Sequence, residues 1–475
     1  MSIKYSIKEA AILLNVKYQR LFHLISCNII PSYKSDNNIS LDENGLQLCK
    51  EIISKNLFYS DIRLIKKNYN INNKEEKTEI EQVRLTKKDK LIVNFKSILS
   101  SNKSSYIRDS LYSYWPKSKE CSDSFFQHLS HEYKNSNEEN KNIIIEILFY
   151  YYRNYGFPYF ELSEEDLNNE MDKIVKTTIN KILLENNLLQ SNVVGLSASN
   201  YWHKHLFETK TSDNTFSPYE AFLDDEKLKD CIKKWLDMGN VCNHIGMRKI
   251  LRTRNGIRSA VNFKPTIAKT IYDIFVPENG NILDPCSGFS GRLLGCIGSN
   301  RNLLYHGIDV DSRTASGNMN AAGFYLKQKD IYGKNKYNFR FRFDLGCAED
   351  VMGTLEENFY DIIFTSPPYF DLEKYSEDYD QSFMKHKTYD KWLENFMFKI
   401  INHSECLLKD NGKLILNIKN IKNYNIANDI LDYCKNNEWN LTDTYYMKIF
   451  KSEFHRNKGA NNFNVEPIFV FSKQK

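Results

Sequence analysis

Tyr360-Asp361-Ile362-Ile363-Phe364 runs directly into Thr365-Ser366-Pro367-Pro368-Tyr369. Asp361 to Phe364 read as a short buried strand, and the two prolines after it have no N–H with which to continue a ladder, so the chain must leave the sheet there. A stiff loop then presents the Ser366 hydroxyl, the Pro367 carbonyl and the Tyr369 ring at a strand end.

Upstream, Asn281-Ile282-Leu283-Asp284 is a strand ending in an acid, followed by Pro285-Cys286-Ser287-Gly288-Phe289-Ser290-Gly291-Arg292 and a helix from Leu293. A strand, a glycine turn and a helix amino-terminus make a cofactor cleft, because Gly288 and Gly291 let a ligand approach the backbone. Their spacing does not fit the Gly-x-Gly-x-x-Gly of dinucleotide folds. The next strand, Leu303 to Ile308, ends at Asp309-Val310-Asp311, and a third strand end follows at Leu345-Gly346-Cys347-Ala348-Glu349-Asp350. Further out, Val261-Asn262-Phe263-Lys264-Pro265 precedes a helix over Thr266 to Phe275. Downstream come an amphipathic helix from Trp392 to Leu408, a strand over Gly412 to Ile418 and a late strand over Glu466 to Phe471. Strands alternating with helices predict an α/β, Rossmann-like module over residues 241–475.

The loop suits one chemistry in particular. The exocyclic amine of a nucleobase is a poor nucleophile because its lone pair is delocalised into the ring, so a catalyst must hold both N–H bonds with acceptors while the nitrogen pyramidalises. Ser366 Oγ and the Pro367 carbonyl are candidate acceptors. In a duplex the base must be flipped out, and an aromatic face such as Tyr369 offsets part of the lost stacking. Ser366-Pro367-Pro368-Tyr369 resembles the catalytic motif of the DNA amino-methyltransferases, in which Asp, Asn or Ser precedes two prolines and an aromatic. Asp284-Pro285-x-x-Gly288-x-x-Gly291 resembles their S-adenosylmethionine motif, departing from the commoner Gly-x-Gly core. The resemblance covers about residues 245–475. It implies S-adenosylmethionine as cofactor, Asp309 on the ribose hydroxyls, Glu349 or Asp350 on the adenine amine, and Phe263 and Pro265 near the methionine end. Ser366 at its position points to cytosine-N4 rather than adenine-N6, since Asp or Asn more often serves adenine in the family. Cys286 follows a proline, as the nucleophile of ring-carbon methyltransferases does, but it sits in the cofactor loop, so that covalent chemistry is rejected.

The whole chain sets wider bounds. Its 475 residues with 41% apolar content suffice for two or three cored domains. Lys+Arg 65 against Asp+Glu 60 permits a nucleic-acid partner without demanding one. The 10 cysteines include no Cys-x-x-Cys pair, and there is no signal peptide or long apolar span, which reads as reduced thiols in a cytoplasmic protein with no membrane partner. No metal site is expected; His203 and His205 lack a matching Cys or His cluster.

At the amino terminus, Ser6-Ile7-Lys8-Glu9 has capping-box spacing before a short apolar-sided helix. A second helical stretch spans Tyr18 to Ile25, and Ile29 to Tyr33 with Ile39 to Leu41 read as a hairpin. The order resembles the winged helix-turn-helix of MerR-like and excisionase-like domains, over residues 1–56. It implies that Lys17, Tyr18, Gln19, Arg20 and His23 face double-stranded DNA. Residues 57–240 carry no chemical motif. They read as a mostly helical region, with stripes over Ile143 to Tyr152, Leu162 to Leu189 and Leu228 to Met238. Target recognition must lie before the module. The sequence therefore predicts a site-specific DNA amino-methyltransferase, of a kind that can be accompanied by a cognate restriction nuclease. The alternatives left open are the adenine-N6 amine, RNA, another transferred group, or an inactive module that only binds DNA.

Overall fold

The computed structural model describes residues 5–6, 33–35, 38–41, 47, 123–210, 215–372, 380–450 and 463–474. The chain divides into two compact units, Met1–Asn94 and Phe95–Lys475. In the first, strands β1 (Tyr5–Ser6), β2 (Tyr33–Ser35) and β3 (Asn38–Leu41) form an antiparallel sheet in the order β1-β3-β2. β2 and β3 pair Tyr33 with Ser40 and Ser35 with Asn38 in a hairpin; Ile29 to Ser32 of the expected hairpin lie outside the described residues. Lys17, Tyr18, Gln19, Arg20 and His23 lie outside the described residues.

In the second unit the first described elements are helices α1 (Asp123–Asn135), α2 (Glu138–Tyr155) and α3 (Glu164–Val175). Asn137 caps α2 by accepting from the Asn140 N–H, and Gly156 ends it at a φ of 95°, a conformation costly for residues with a Cβ. The aromatic run in α2 is core: Phe149, Tyr151 and Tyr152 are buried, and the Tyr152 hydroxyl donates to the Cys242 carbonyl at 2.9 Å.

The continuous helical stripe expected over Leu162 to Leu189 is not one helix. α3 stops at Val175, and after a four-residue helix the chain forms β4 (Leu183–Leu184) and β5 (Leu188–Leu189). Asn186 and Asn187 between them adopt φ of 57° and 53°. Asparagine tolerates that left-handed region, so a local turn outcompetes helical propensity, and β5 gains a sheet partner.

Helices α4 (Leu196–Trp202), α5 (Pro218–Leu223), α6 (Asp225–Asp237) and α7 (His244–Thr253) complete the helical part. Beyond them, α8 (Pro265–Phe275) and β6 (Asn281–Asp284) lead into α9 (Gly291–Ser299), β7 (Leu303–Asp309), α10 (Ser312–Leu326) and β8 (Phe339–Leu345). Then come β9 (Tyr360–Thr365), α11 (Phe398–Leu407), β10 (Leu408–Asn417), α12 (Ile426–Asn436), β11 (Trp439–Phe450) and β12 (Phe463–Lys473).

These strands form one nine-stranded sheet in the order β4-β5-β11-β12-β10-β9-β6-β7-β8. β10, β9, β6, β7 and β8 are parallel neighbours, and β12 inserts antiparallel between β10 and β11. This is the Rossmann-like α/β fold expected from the alternation of strands and helices. Both faces are covered: Ile282, Ile362 and Phe364 pack under α8, α9 and α10, while Leu283, Ile363 and Leu414 pack under α11 and α12. The strand order reverses between β6 and β9, so their carboxyl ends diverge and leave a crevice.

The helical part also meets the module closely at Gly317 of α10, where any Cβ would run into the His203 ring and the Trp202 carbonyl. Gly317→Ala is expected to lower stability by roughly 1–3 kcal/mol through overpacking, measurable as a fall in thermal midpoint. An unchanged midpoint would show that α4 and α10 separate at no cost.

Candidate active site

Asp284, expected at the cofactor cleft, is placed beneath it and does not line the cavity there. It is fully buried and takes Arg292 Nε at 2.6 Å and Nη2 at 3.2 Å. The Tyr305 hydroxyl donates to it at 2.6 Å and the Thr365 hydroxyl at 3.0 Å. Arg292 also donates to the Cys286 carbonyl, and the Cys286 N–H to Thr365 Oγ1 at 3.2 Å. Burial opposes the Arg292 charge, but the Asp284 carboxylate holds its pKa above the ordinary value. One carboxylate thus ties the loop after β6 to the end of β9.

Above this network lies a cavity of about 590 Å³. It brings together Phe263, Gly288, Gly291, Asp309, Glu349, Ser366, Pro367, Pro368 and Tyr369 from the residues singled out in the sequence. Pro265 and Asp350 do not line it: Pro265 is buried as the first residue of α8, and Asp350 lies on the surface.

Gly288 has a φ of 56°, and a Cβ there would meet only the Cys286 carbonyl oxygen at 3.9 Å, so it would stand in the cavity itself. Gly291 lines the cavity and also meets a packing need. A Cβ on it would strike the Phe263 carbonyl, so this glycine lets α9 pack under the Asn262–Phe263 segment. Asn262 Nδ2 donates to the Phe289 carbonyl at 2.6 Å and closes the same contact.

Asp309 accepts from the Gly288 N–H at 2.9 Å and the Asp311 N–H at 3.1 Å. Burial pushes its carboxyl up to about 7, reinforced by the Asp311 and Asp284 charges and opposed by those two N–H bonds. Glu349 is buried and paired with Lys385 Nζ at 2.8 Å and His386 Nε2 at 3.3 Å. Lys385 also reaches Asp350 at 2.8 Å, and although burial works against its charge the two carboxylates hold its pKa above the ordinary lysine value. Cys347, Glu349 and Asp350 could together surround a cation, but the Lys385 ammonium already binds both carboxylates.

On the opposite wall, the Tyr369 hydroxyl donates to Glu466 Oε1 at 2.6 Å, and Glu466 Oε2 takes Lys419 Nζ at 2.8 Å. Ser366 is half-buried and its hydroxyl has no partner among the described residues. Cys286 also lines the cavity; burial beside Asp284 and Asp309 drives its thiol pKa far up, the wrong direction for a nucleophile. His203 and His205 are buried structural groups, bonded to Ser290 Oγ at 2.6 Å and Thr314 Oγ1 at 3.0 Å.

Asn417, Lys419 and Glu466 were not singled out in the sequence, though a signal existed. Asn417 ends a parallel strand and Glu466 lies near the start of an antiparallel one, so both fall at the functional edge of the sheet.

The N6_N4_Mtase family, described as DNA methylase, matches residues 360–475. No curated protein matches the chain. Among solved structures, the chain is similar to a TehB-like SAM-dependent methyltransferase from Corynebacterium glutamicum, at 14% identity over 45% of this chain and 89% of that one, with a TM-score of 0.28. An rRNA methylase from Streptococcus thermophilus gives 13% identity over 46% and 100%, at a TM-score of 0.26. Precorrin-6y C5,15-methyltransferase from Geobacter metallireducens gives 11% over 44% and 87%, at 0.27.

Residues 360–475 thus match a DNA methylase family, and S-adenosylmethionine is the methyl donor that this match implies. The residues present fit that cofactor. Gly288 leaves backbone open to the cavity, Asp309 supplies a carboxylate at the end of β7, and Phe263 and Pro285 supply apolar wall.

The raised Asp309 value fixes a sign. In the ligand-free protein the stability linked to this carboxyl is present at low pH and is lost as pH rises through about 7. Hydroxyls that donate to the ionised carboxylate bind best above that pH. Asp309→Ala is expected to weaken S-adenosylmethionine binding, each charge-assisted bond contributing roughly 1.5–3 kcal/mol. In the parent, affinity should fall as pH drops below about 7, and Asp309→Asn should flatten that dependence. Calorimetry across pH checks both; unchanged affinity in Asp309→Ala removes the residue from the site.

Proposed function

We propose that this protein methylates an exocyclic amine of a base in double-stranded DNA, with cytosine N4 as the preferred target. One observation carries the reading. Ser366, Pro367, Pro368 and Tyr369 leave the carboxyl end of β9 into the same cavity that Asp309 and Gly288 line from β7 and the loop after β6. Bound there, S-adenosylmethionine supplies an electrophilic methyl group. The chain's own residues deal with the amine.

Ser366 Oγ, with no competing partner among the described residues, accepts one amine N–H, and the Pro367 carbonyl accepts the other. Holding both lets the nitrogen lone pair leave conjugation. Tyr369 offers its ring face to the flipped base, and its hydroxyl bond to Glu466 fixes the plane of that face before the base arrives. Lys419, 5.9 Å from the ring centroid, steadies the same pair. Ser rather than Asp or Asn at the first position favours cytosine, as the family resemblance implies.

Residues 1–56 are proposed to read DNA as a winged helix-turn-helix, residues 57–240 to contribute to target recognition, and residues 241–475 to carry the chemistry. Expression in a methylation-free host, followed by sequencing of genomic DNA for modified bases, tests the substrate. The expected result is N4-methylcytosine in a short fixed context. No new mark, despite soluble protein that binds S-adenosylmethionine, would overturn DNA as the substrate. Ser366→Ala and Tyr369→Ala should keep duplex binding and lower methyl transfer, Tyr369→Ala by a stacking loss of roughly 1–3 kcal/mol.

The reader is tested separately. Replacing Lys17 and Arg20 by Ala should weaken duplex binding and reduce the slope of log affinity against log salt by about 0.9 per lost phosphate contact, with cofactor affinity unchanged. A double variant that binds and methylates like the parent would move recognition out of the first domain.

A further inference from the structure

Next to the active-site cavity lies a second one of about 350 Å³, which shares Val193, Val261, Asn262 and Lys264 with the first. Four charged residues line it: Glu170, Lys173, Arg252 and Lys264. The first two satisfy each other. Glu170 Oε1 holds Lys173 Nζ at 2.7 Å, and Glu170 Oε2 accepts the Gly195 N–H at 3.0 Å.

The other two are cations without an acid. Among the described residues neither the Arg252 nor the Lys264 side chain has a carboxylate or hydrogen-bond partner, and the Arg252 guanidinium has only the Phe207 ring at 6.0 Å. Burial lowers the pKa of both, and Arg252 adds to the effect on Lys264, which falls to about 8. Two partly buried like charges in one cavity are an unfavourable arrangement that an anion would relieve. Two of the four residues that the cavities share, Val193 and Val261, are apolar and exposed at 74% and 69%.

We propose that this second cavity takes a backbone phosphate of the DNA strand whose target base enters the first. The proposal rests on the DNA reading above and adds the group that anchors the flipped nucleotide. A planar guanidinium binds two phosphate oxygens at once, and the Lys264 ammonium adds a point charge on the side facing the active site. The two exposed valines lie between base and phosphate, where a sugar needs apolar contact. A flipped nucleotide would thus be gripped at both ends: its base against Ser366 and Tyr369, its phosphate at Arg252 and Lys264.

Arg252 is the residue to test, because it lines only the second cavity. The full-length parent, Arg252→Ala and Arg252→Lys are compared on duplexes carrying one neutral methylphosphonate at each position around the target. The parent should lose affinity most at one position beside the target. Arg252→Ala should bind the unmodified duplex more weakly, with a salt slope smaller by about 0.9, and should be indifferent to the methylphosphonate at that position. Arg252→Lys should keep the slope. S-adenosylmethionine affinity and thermal midpoint should match the parent in both variants.

An Arg252→Ala protein that retains the parent's affinity, slope and methylphosphonate sensitivity would overturn the phosphate site while leaving DNA methylation standing. A parent that neither binds nor methylates DNA would overturn both. If inorganic phosphate raises the midpoint of the parent but not of Arg252→Ala, while duplex binding is equal in the two, the cavity holds a free anion and the DNA assignment falls.

Discussion

The rest of the site depends on one buried negative charge. Asp284 sits where β6 ends, under a cleft that must diverge from the end of β9, and its two oxygens receive Arg292, Tyr305 and Thr365. A buried ion pair is weak evidence for stability, since removing both charges can be neutral while breaking one partner commonly costs about 3–5 kcal/mol. What it offers here is registry. Thr365 bridges Asp284 and the Cys286 N–H, so the loop that carries Gly288 and the loop that carries Ser366 are held in one frame.

From that frame the cavity acquires two different walls. On the cofactor side, backbone dominates: Gly288 open to the space, Asp309 anchored by two N–H groups, and Gly291 allowing the Phe263 segment to lie on α9. On the side of Tyr369, a side-chain relay from Lys419 through Glu466 fixes the ring. In the proposed role of Tyr369, a ring immobilised beforehand loses no rotamer entropy when a base binds. Lys385 and His386 play the corresponding part for Glu349, and they belong to the segment after Phe370 whose described residues Leu372, Asp380, Gln381 and Ser382 line the cavity.

The module's strands were legible because hydrophobic runs ending in Asp or Gly or halted by proline leave few alternatives. Gly288, Asp309 and Ser366 were visible for the same reason, each standing just past a strand. Other readings needed the third dimension. Asp284 looked like a cleft residue from its position, yet Arg292, eight residues on, folds back beneath the loop and removes it from the cavity. The helix expected through Leu189 ends at Val175, and a later turn at Asn186-Asn187 places Leu188 and Leu189 beside Tyr446 and Met447 of β11. Sheet edges recruit such short segments through pairing that no local pattern announces.

By itself the sequence determined the loop at the end of the fourth strand of the module, since Ser-Pro-Pro-Tyr must leave the sheet there. It also determined the α/β alternation. Only the tertiary structure decided which acid faces the cavity. Glu349 and Asp350 are adjacent in sequence, but the turn of the short helix after β8 points one inward to the cavity and the other to the surface. It alone decided that Glu466, about a hundred residues after Tyr369, would hold that ring, because β12 runs antiparallel to β10 and begins at the edge where the parallel strands end. Contacts of this kind are set by strand order, which depends on the packing of whole faces and not on any residue's neighbours in the chain.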